Sequence, residues 1–296
     1  MSHYSNSYYT ATMRYASPRP TLIGNVQADV CVIGGGLAGL STALELVSRG
    51  RSVVLLEAAR VAWGASGRNG GFVLQGWSEG LSSIERRCGT ETARALFKLS
   101  LEGVDIVRET IDQHQLEGCA PTSGKLSVLR YDDGDNLQRL RDRMAKEFNF
   151  EMEYLDTHAI RARLNTERYF HGLRDSHGFH FHPLNYCLGV AELIEAKGGI
   201  LYENSPMIRV ESQGDRHHVV TQQGVIDCGN VVHCCGGYGG PEFGRLRRAF
   251  LPIATYVVLT EHLGDRLRDT IRTTDAVGDN RRASDYYRVV DGDRLL

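Results

Sequence analysis

The sequence predicts an α/β fold from three adjoining observations: an unbroken apolar run over Ala28–Ile33, a glycine turn at Gly34–Gly36, and apolar residues Leu37, Leu40, Leu44 and Val47 on one helical face. An apolar run without alternation suits a strand covered on both faces of a parallel sheet. Gly50 stands where a helix commonly stops, at its C′ position. Ser52–Leu56 reads as a second buried strand closed by Glu57, which completes one β-α-β unit.

The other elements follow in chain order. The first 25 residues read as an irregular arm. Helical periodicity runs from Ser82 to Gln115, Gly124–Arg130 reads as a strand, and Asp135–Phe148 reads as a charged amphipathic helix. After HFHP at 180–183, LNYCLGVAELIEAKGG is a helix closed by glycine. ILYENSPMIRV and HHVVTQQGVID are strand candidates, and NVVHCCGGYGG (230–240) is an apolar run ending in glycines. PIATYVVLTEHL and Tyr286–Val290 are the last expected strands.

Composition excludes several function classes. With 34 basic and 36 acidic side chains among 296 residues, no positive excess exists to hold nucleic acid or an anionic membrane. The first residues lack the apolar core of a secretion signal, and no apolar run nears the ~20 residues that span a bilayer, so a cytoplasmic protein is expected. Seven cysteines without a CxxC spacing argue for buried free thiols over a disulfide framework or a zinc ribbon.

The glycines are the most informative motif. Gly34, Gly36 and Gly39 satisfy G-x-G-x-x-G between a predicted strand and a predicted helix. The first permits the tight turn, the second lets a pyrophosphate approach the backbone, and the third lets helix and strand pack closely. The pyrophosphate then meets the unpaired amides and positive dipole end of the helix. Glu57, about 20 residues on, is placed to accept hydrogen bonds from ribose hydroxyls, and its charge repels the 2′-phosphate of NADP. The following EAARVAWGASGRNGGF is rich in glycine and serine from Gly64 to Gly71, which leaves the backbone bare for a loop wrapped over a large planar ligand. An NAD domain has no need of such a loop, so FAD is the expected cofactor.

GGGLAGLSTALEL, LLEAARVAWGASGRNGG and VVHCCGGYGG, in that order, resemble the FAD-dependent oxidoreductases of the D-amino-acid oxidase, glycine oxidase and sarcosine oxidase superfamily. Within it, SYYTAT, ADVCVIGGG, HFHPLNYCLGVA and PIATYVVLTE are most similar to the γ-glutamylputrescine oxidoreductases, over essentially the whole chain. The resemblance implies a Rossmann-like FAD-binding domain of the glutathione-reductase type with an interleaved α+β substrate domain. Its segments would be an arm at 1–25, cofactor segments at 26–115 and 183–241, and substrate segments at 116–182 and 242–296. Members run longer, so the resemblance also implies that the C-terminal part is missing and that the chain as written neither holds FAD tightly nor turns over.

Carried over by position, the resemblance puts Gly34, Gly36 and Gly39 on the FAD pyrophosphate, with Leu37 and Ala38 at the helix start, and Glu57 on the ribose. Ala58 and Arg60 would lie near the adenine, with Met207 in main-chain contact with it. Ser66 would touch phosphate, Asn69, Gly70 and Gly71 would approach the isoalloxazine, and Gly236 would let a later turn close. The implied reaction is two-electron oxidation of a C–N bond in a small-molecule amine of γ-glutamylputrescine type, with O2 giving aldehyde, ammonia and H2O2, and with no metal. Oxidation of sarcosine, glycine or a D-amino acid is the related alternative, and a non-catalytic nucleotide-binding remnant is the other. No side chain stands out as a general acid or base, so no catalytic residue is assigned.

Other constellations read more plainly. His171, His177, His180 and His182 are expected as polar edge-strand positions, since no cysteine or carboxylate joins them at a metal-ligand spacing. Adjacent Cys234 and Cys235 would point to opposite faces of a strand and match no dithiol motif. GASGR around Ser66 is not G-x-S-x-G. Tyr256 and the run Asp285–Arg288 are candidates to line a substrate pocket, although tyrosines packing a sheet are the simpler reading.

Overall fold

A computed structural model describes residues 3–15, 17–239, 244–249 and 251–296. Gly240, the last glycine of the 230–240 run, and the expected boundary at 241/242 lie outside the described residues. The chain forms two compact units: Met1–Asn69 with Leu116–Cys119 and His182–Tyr256, and Gly70–Gln115 with Ala120–Phe181 and Val257–Leu296.

In the first unit the strand Gly24–Ile33 is central. Val53–Leu56 and Gly224–His233 flank it in parallel, and Ile200–Tyr202 adds a further parallel strand beside Val53–Leu56. Arg216–Val220 and Arg209–Gln213 continue the sheet antiparallel beyond Gly224–His233. Cys31, Val32, Val54 and Leu55 are buried, as a strand covered on both faces requires. The helices Leu37–Ser48 and Pro183–Ala196 pack against each other. Each fully buried aliphatic side chain contributes about 1.5–3 kcal/mol.

Register is what positions the site. Ile33 pairs with Leu56 on one side and with His233 on the other, so three parallel strands end level. The loops that follow all emerge at one edge of the sheet. The helix after the first strand returns tightly: a Cβ on Gly39 would stand 1.9 Å from the Gly34 carbonyl oxygen.

In the second unit the sheet runs Tyr286–Tyr287, Ala276–Asp279, Thr122–Val128, Gly172–His180, Phe72–Val73, and Glu153–Leu155 also pairs with Gly172–His180. Leu126, Val128, Leu155, Ile160, Leu164, Tyr169 and Val277 form its apolar cluster. A second cluster of Phe97, Met144, Phe148 and Phe150 joins the helices Thr90–His114 and Gly134–Phe148. That packing places residues 70–115 with the second unit, where the sequence-based division assigns them to the cofactor segment.

Several expected elements differ, one through a positive-φ glycine and the others through tertiary pairing. The periodic stretch from Ser82 to Gln115 is two helices, Leu81–Cys88 and Thr90–His114, parted at Gly89. HHVVTQQGVID is two strands around a turn in which Gly224 N–H donates to Thr221 Oγ1 at 3.0 Å. ILYENSPMIRV splits into Ile200–Tyr202 and Arg209–Gln213. Residues 252–263 form no strand, because a strand exists only through a ladder and here isolated bonds run from Thr260 N to Leu295 O and from Leu263 N to Asp293 O. Tyr286–Val290 is interrupted at Arg288.

His180 and His182 are buried, at 3% and 7% exposure, and are not polar edge positions. His180 lies on an inner strand, and His182 caps the helix Pro183–Ala196. Cys234 and Cys235 follow the strand end and do not lie on it. All seven cysteines are free, but Cys88 is exposed and Cys234 and Cys235 are only partly buried. No described helix is long and apolar enough to cross a membrane.

Gly39→Ala is expected to lower stability by about 1–3 kcal/mol or more, since backbone must move to admit the methyl group. A thermal melt of the variant measures this, and an unchanged midpoint would contradict the close approach.

Candidate functional site

Each of the three level strands stays laced to its neighbour just past its end. Gly34 N–H donates to Leu56 O at 2.8 Å, Glu57 N–H to Tyr202 O at 2.8 Å, and Cys234 N–H to Ile33 O at 2.7 Å. Gly34 has φ +108°, and a Cβ there would stand 2.9 Å from the Cys234 carbonyl carbon and oxygen. Protein packing alone therefore demands the first glycine. The second is different. Gly36 is the N-cap of Leu37–Ser48 and brings no side chain to cap it. Ser66 reaches in from the next loop: Leu37 N–H donates to Ser66 Oγ at 3.0 Å, and a Cβ on Gly36 would stand 2.9 Å from that oxygen. Ala38 and Gly39 begin the helix beyond this borrowed cap.

Glu57 spans the same edge. Its Oε2 accepts from Gly35 N–H at 2.7 Å and its Oε1 from Ala59 N–H at 2.8 Å. The Ala58 amide also points at the carboxylate, so three of its roughly four acceptor positions are used and one is left for a hydroxyl donor. Burial pushes its carboxyl above the usual range, against the pull of the Ala59 and Gly35 amides, and nearby Glu203 adds to the rise. Ala58 is exposed beside it. Arg60 turns inward, pairing its Nε with Glu203 Oε2 at 2.6 Å. Glu203 is fully buried and also accepts from Val61 N–H at 2.8 Å and Arg19 N–H at 3.1 Å.

Two later segments close on this edge. Ser205 N–H donates to Glu57 O and Asn204 N–H to Ala59 O, both at 2.9 Å, which brings Met207 alongside. Its side chain is in the core with Ile33 and Leu56, leaving only main chain for a ligand. Gly236 follows the Cys234 crossing, and a Cβ there would meet open space. The structure thus brings Gly34, Gly36, Leu37, Ala38, Gly39, Glu57, Ala58, Ser66, Met207 and Gly236 to one edge of the first unit's sheet. Asn69 ends the loop, with its Nδ2 donating to Ala65 O and Ser66 O at 3.1 and 3.0 Å.

Sequence reasoning missed the arm. Tyr4 Oη–H donates to Val61 O and Tyr9 Oη–H to Asn69 O, both at 2.7 Å, so two tyrosines hold both ends of the 61–69 loop. Tyr9 is 2% exposed and meets His182 edge to face at 4.9 Å. His182 Nδ1 accepts from Asn185 N–H at 3.1 Å, so its Nε2–H donates to Thr12 Oγ1 at 3.0 Å. The available signal was three tyrosines within the first nine residues of an otherwise polar stretch.

Gly70 and Gly71 belong to the second unit. Buried Arg288 donates from Nε to Gly70 O at 2.8 Å, from Nη2 to Phe181 O at 2.9 Å and from Nη1 to His180 Nδ1 at 3.1 Å. His180 Nε2–H donates to Thr274 O at 2.9 Å, and burial holds the ring below its usual pKa. Phe181 N–H donates to Gly71 O at 2.9 Å. Of the residues expected to line a pocket, Arg288 is instead this clamp, while Tyr286 is 44% and Tyr256 85% exposed. Among the described residues no three His, Cys, Asp or Glu side chains converge as metal ligands.

A sheet edge with a glycine turn, a helix start free of its own capping side chain and an anchored carboxylate is the architecture of a dinucleotide-binding site. The family of FAD dependent oxidoreductases (DAO) matches residues 29–296. The chain is 36% identical over 299 residues to the gamma-glutamylputrescine oxidoreductase of Escherichia coli (strain K12), spanning 100% of this chain and 70% of that protein. Glycine oxidase from Geobacillus kaustophilus shares the fold at a TM-score of 0.72 and 18% identity, over 92% of this chain and 70% of that one. L-amino acid deaminase from Proteus vulgaris does so at 0.70 and 19%, over 94% and 63%. The chain belongs to the DAO family of FAD-dependent oxidoreductases, which act on C–N bonds.

Two outcomes are expected. Tyr9→Phe removes one buried hydrogen bond, about 0.5–1.5 kcal/mol, and speeds hydrogen exchange across residues 64–70, read by mass spectrometry. The folded-state pKa of Glu57 lies above the ordinary 4.5. Its contribution to stability is therefore complete below 4.5 and lost as pH rises through the raised value. Denaturant titrations of wild type and Glu57→Gln over that window should show the difference shrinking with pH, then levelling.

Proposed function

We propose that the protein is an FAD-dependent amine oxidase whose substrate is a primary amine carried on a γ-glutamyl group, of γ-glutamylputrescine type, with O2 as electron acceptor. The 36% identity to the Escherichia coli enzyme along the full chain carries this reading. In the balanced reaction the amine, O2 and water give an aldehyde, ammonia and H2O2. Bound FAD supplies the two-electron acceptor, and the protein supplies binding and orientation.

The residues fit that cofactor. Gly36 brings no side chain to the helix start and Ser66 Oγ holds the Leu37 amide, so the Ala38 amide and the Ser66 hydroxyl would be the groups to receive a pyrophosphate. Glu57, oriented by the Gly35, Ala58 and Ala59 amides, would keep an acceptor position for a ribose hydroxyl. Ala58 and the main chain of Met207 would flank the adenine, whereas the Arg60 guanidinium serves Glu203 and shapes that loop from behind. Asn69, Gly70 and Gly71 would approach the isoalloxazine; their carbonyls are held by Tyr9, by Arg288 and by the Phe181 amide, respectively.

The test is a peroxide assay and anaerobic flavin bleaching on the FAD-reconstituted chain. γ-Glutamylputrescine is expected to bleach the flavin and to exceed glycine, sarcosine and D-alanine at least roughly tenfold in kcat/KM, about 1.4 kcal/mol of transition-state discrimination. Equal or better turnover of those amino acids would overturn the substrate class. Retention of flavin that no amine bleaches would overturn the activity.

A further inference from the structure

Lys125 is one of four lysines in the chain and lies on the inner strand Thr122–Val128 of the second unit. The strand is irregular just before it: Gly124 has φ +114°, and the ladder to Gly172–His180 shifts register between Ser123 and Lys125. The bulge sets Lys125 opposite Asp175. Leu126 and Val128 turn into the apolar cluster, so by alternation Lys125 and Ser127 occupy the other face. There the neighbouring strand carries Gly278, where a Cβ would stand 2.9 Å from Lys125 Nζ. The lysine stem therefore lies flat over a bare backbone. Ser127 is exposed, and Tyr286, which pairs with Gly278, is 44% exposed.

An ammonium has three donors. Lys125 Nζ gives one to Leu126 O at 3.0 Å and reaches Ser127 Oγ at only 3.4 Å. No carboxylate pairs with it among the described residues. Asp275 is engaged by Arg174, whose Nε lies 3.1 and 3.0 Å from its two oxygens. Asp175 is 5% exposed; its Oδ1 accepts from the His177 and Gly178 amides, and its Oδ2 has no partner among the described residues. Burial pulls the Lys125 ammonium down to about 8, with Asp175 and Asp275 opposing only in part. Lys125 is half-buried, and with one close acceptor its ammonium has donors left for an anion.

We propose that Lys125, lying over Gly278 beside Ser127, is a seat for the carboxylate of an amino-acid-like ligand and selects amines that carry one. The proposal rests on the substrate class inferred above. It makes Lys125 a specificity residue, binding the non-reacting end of the ligand, and assigns it no role in electron transfer.

Four lysines make the test direct. In the chain labelled with 13C at lysine Cε, the Lys125 signal is assigned by its loss in Lys125→Met and is expected to titrate at about 8, below an ordinary lysine, without ligand. γ-Glutamylethylamide, which has the glutamyl head but no terminal amine, is expected to shift that signal alone and to raise its pKa by about one unit. Putrescine, with no carboxylate, should leave it unmoved. Lys125→Met is expected to fold, since it replaces a half-buried charge with a stem of similar shape, and to bind the glutamyl probe roughly 10- to 100-fold more weakly by calorimetry. Probe bound equally well by Lys125→Met, or bound with the Lys125 signal unmoved, overturns the seat. If γ-glutamylputrescine is oxidised with the same KM by Lys125→Met, the substrate class stands and the seat falls. If the probe moves Lys125 but no glutamyl amine bleaches the flavin, the seat stands and the substrate class falls.

Discussion

The common ending of three parallel strands is the constraint on which the cofactor edge depends. Because Ile33, Leu56 and His233 stand side by side, the loops behind them must share one small volume. The Gly34 turn passes under Cys234, Gly35 lies against the Glu57 side chain, and Gly36 faces Ser66. The first is backbone on backbone and leaves no space for a side chain, whereas Gly35 and Gly36 meet the side chains of Glu57 and Ser66. The first and third glycines are thus packing requirements, and the glycine at the second position leaves a helix start, capped by Ser66, that a phosphate can approach.

Different chemistry serves Gly70 and Gly71 in the second unit. A buried guanidinium holds one carbonyl and a strand-end amide holds the other. Arg288 can turn inward because the strand is interrupted at that residue, between Tyr286–Tyr287 and Val289–Val290. The interruption and the clamp are one event. The planar fork of arginine suits two carbonyls and an imidazole nitrogen at once, which a lysine at the same place would not.

Sequence and structure agree where the signal is local. The run Ala28–Ile33, the glycines, the helix to Ser48 and the short strand before Glu57 form a unit whose parts are neighbours in the chain, so periodicity and punctuation suffice to find it. Signals that depend on distant partners were not legible. Nothing within PIATYVVLTEHL says whether another strand will lie beside it, and without one it makes no ladder. The arm looked structureless because its order comes from Tyr4 and Tyr9 reaching carbonyls some sixty positions away, with separations of 57 and 60. His180 and His182 looked like polar edge positions because composition cannot report burial, and each is satisfied by a specific partner. The bulge at Gly124, which turns Lys125 to its face, needs the ladder to be seen at all.

The central sheet also sets a condition on how the protein is made. Gly24 pairs with Gly224, so the long parallel partner of the first strand is synthesised 200 positions later. At about 5–20 residues per second, a ribosome needs roughly 10–40 s to deliver it. Through that interval the nascent β-α-β unit has one long apolar edge without its mate, and closing so distant a pair is entropically slow. Folding of this chain is therefore expected to lean on whatever shields that edge during translation.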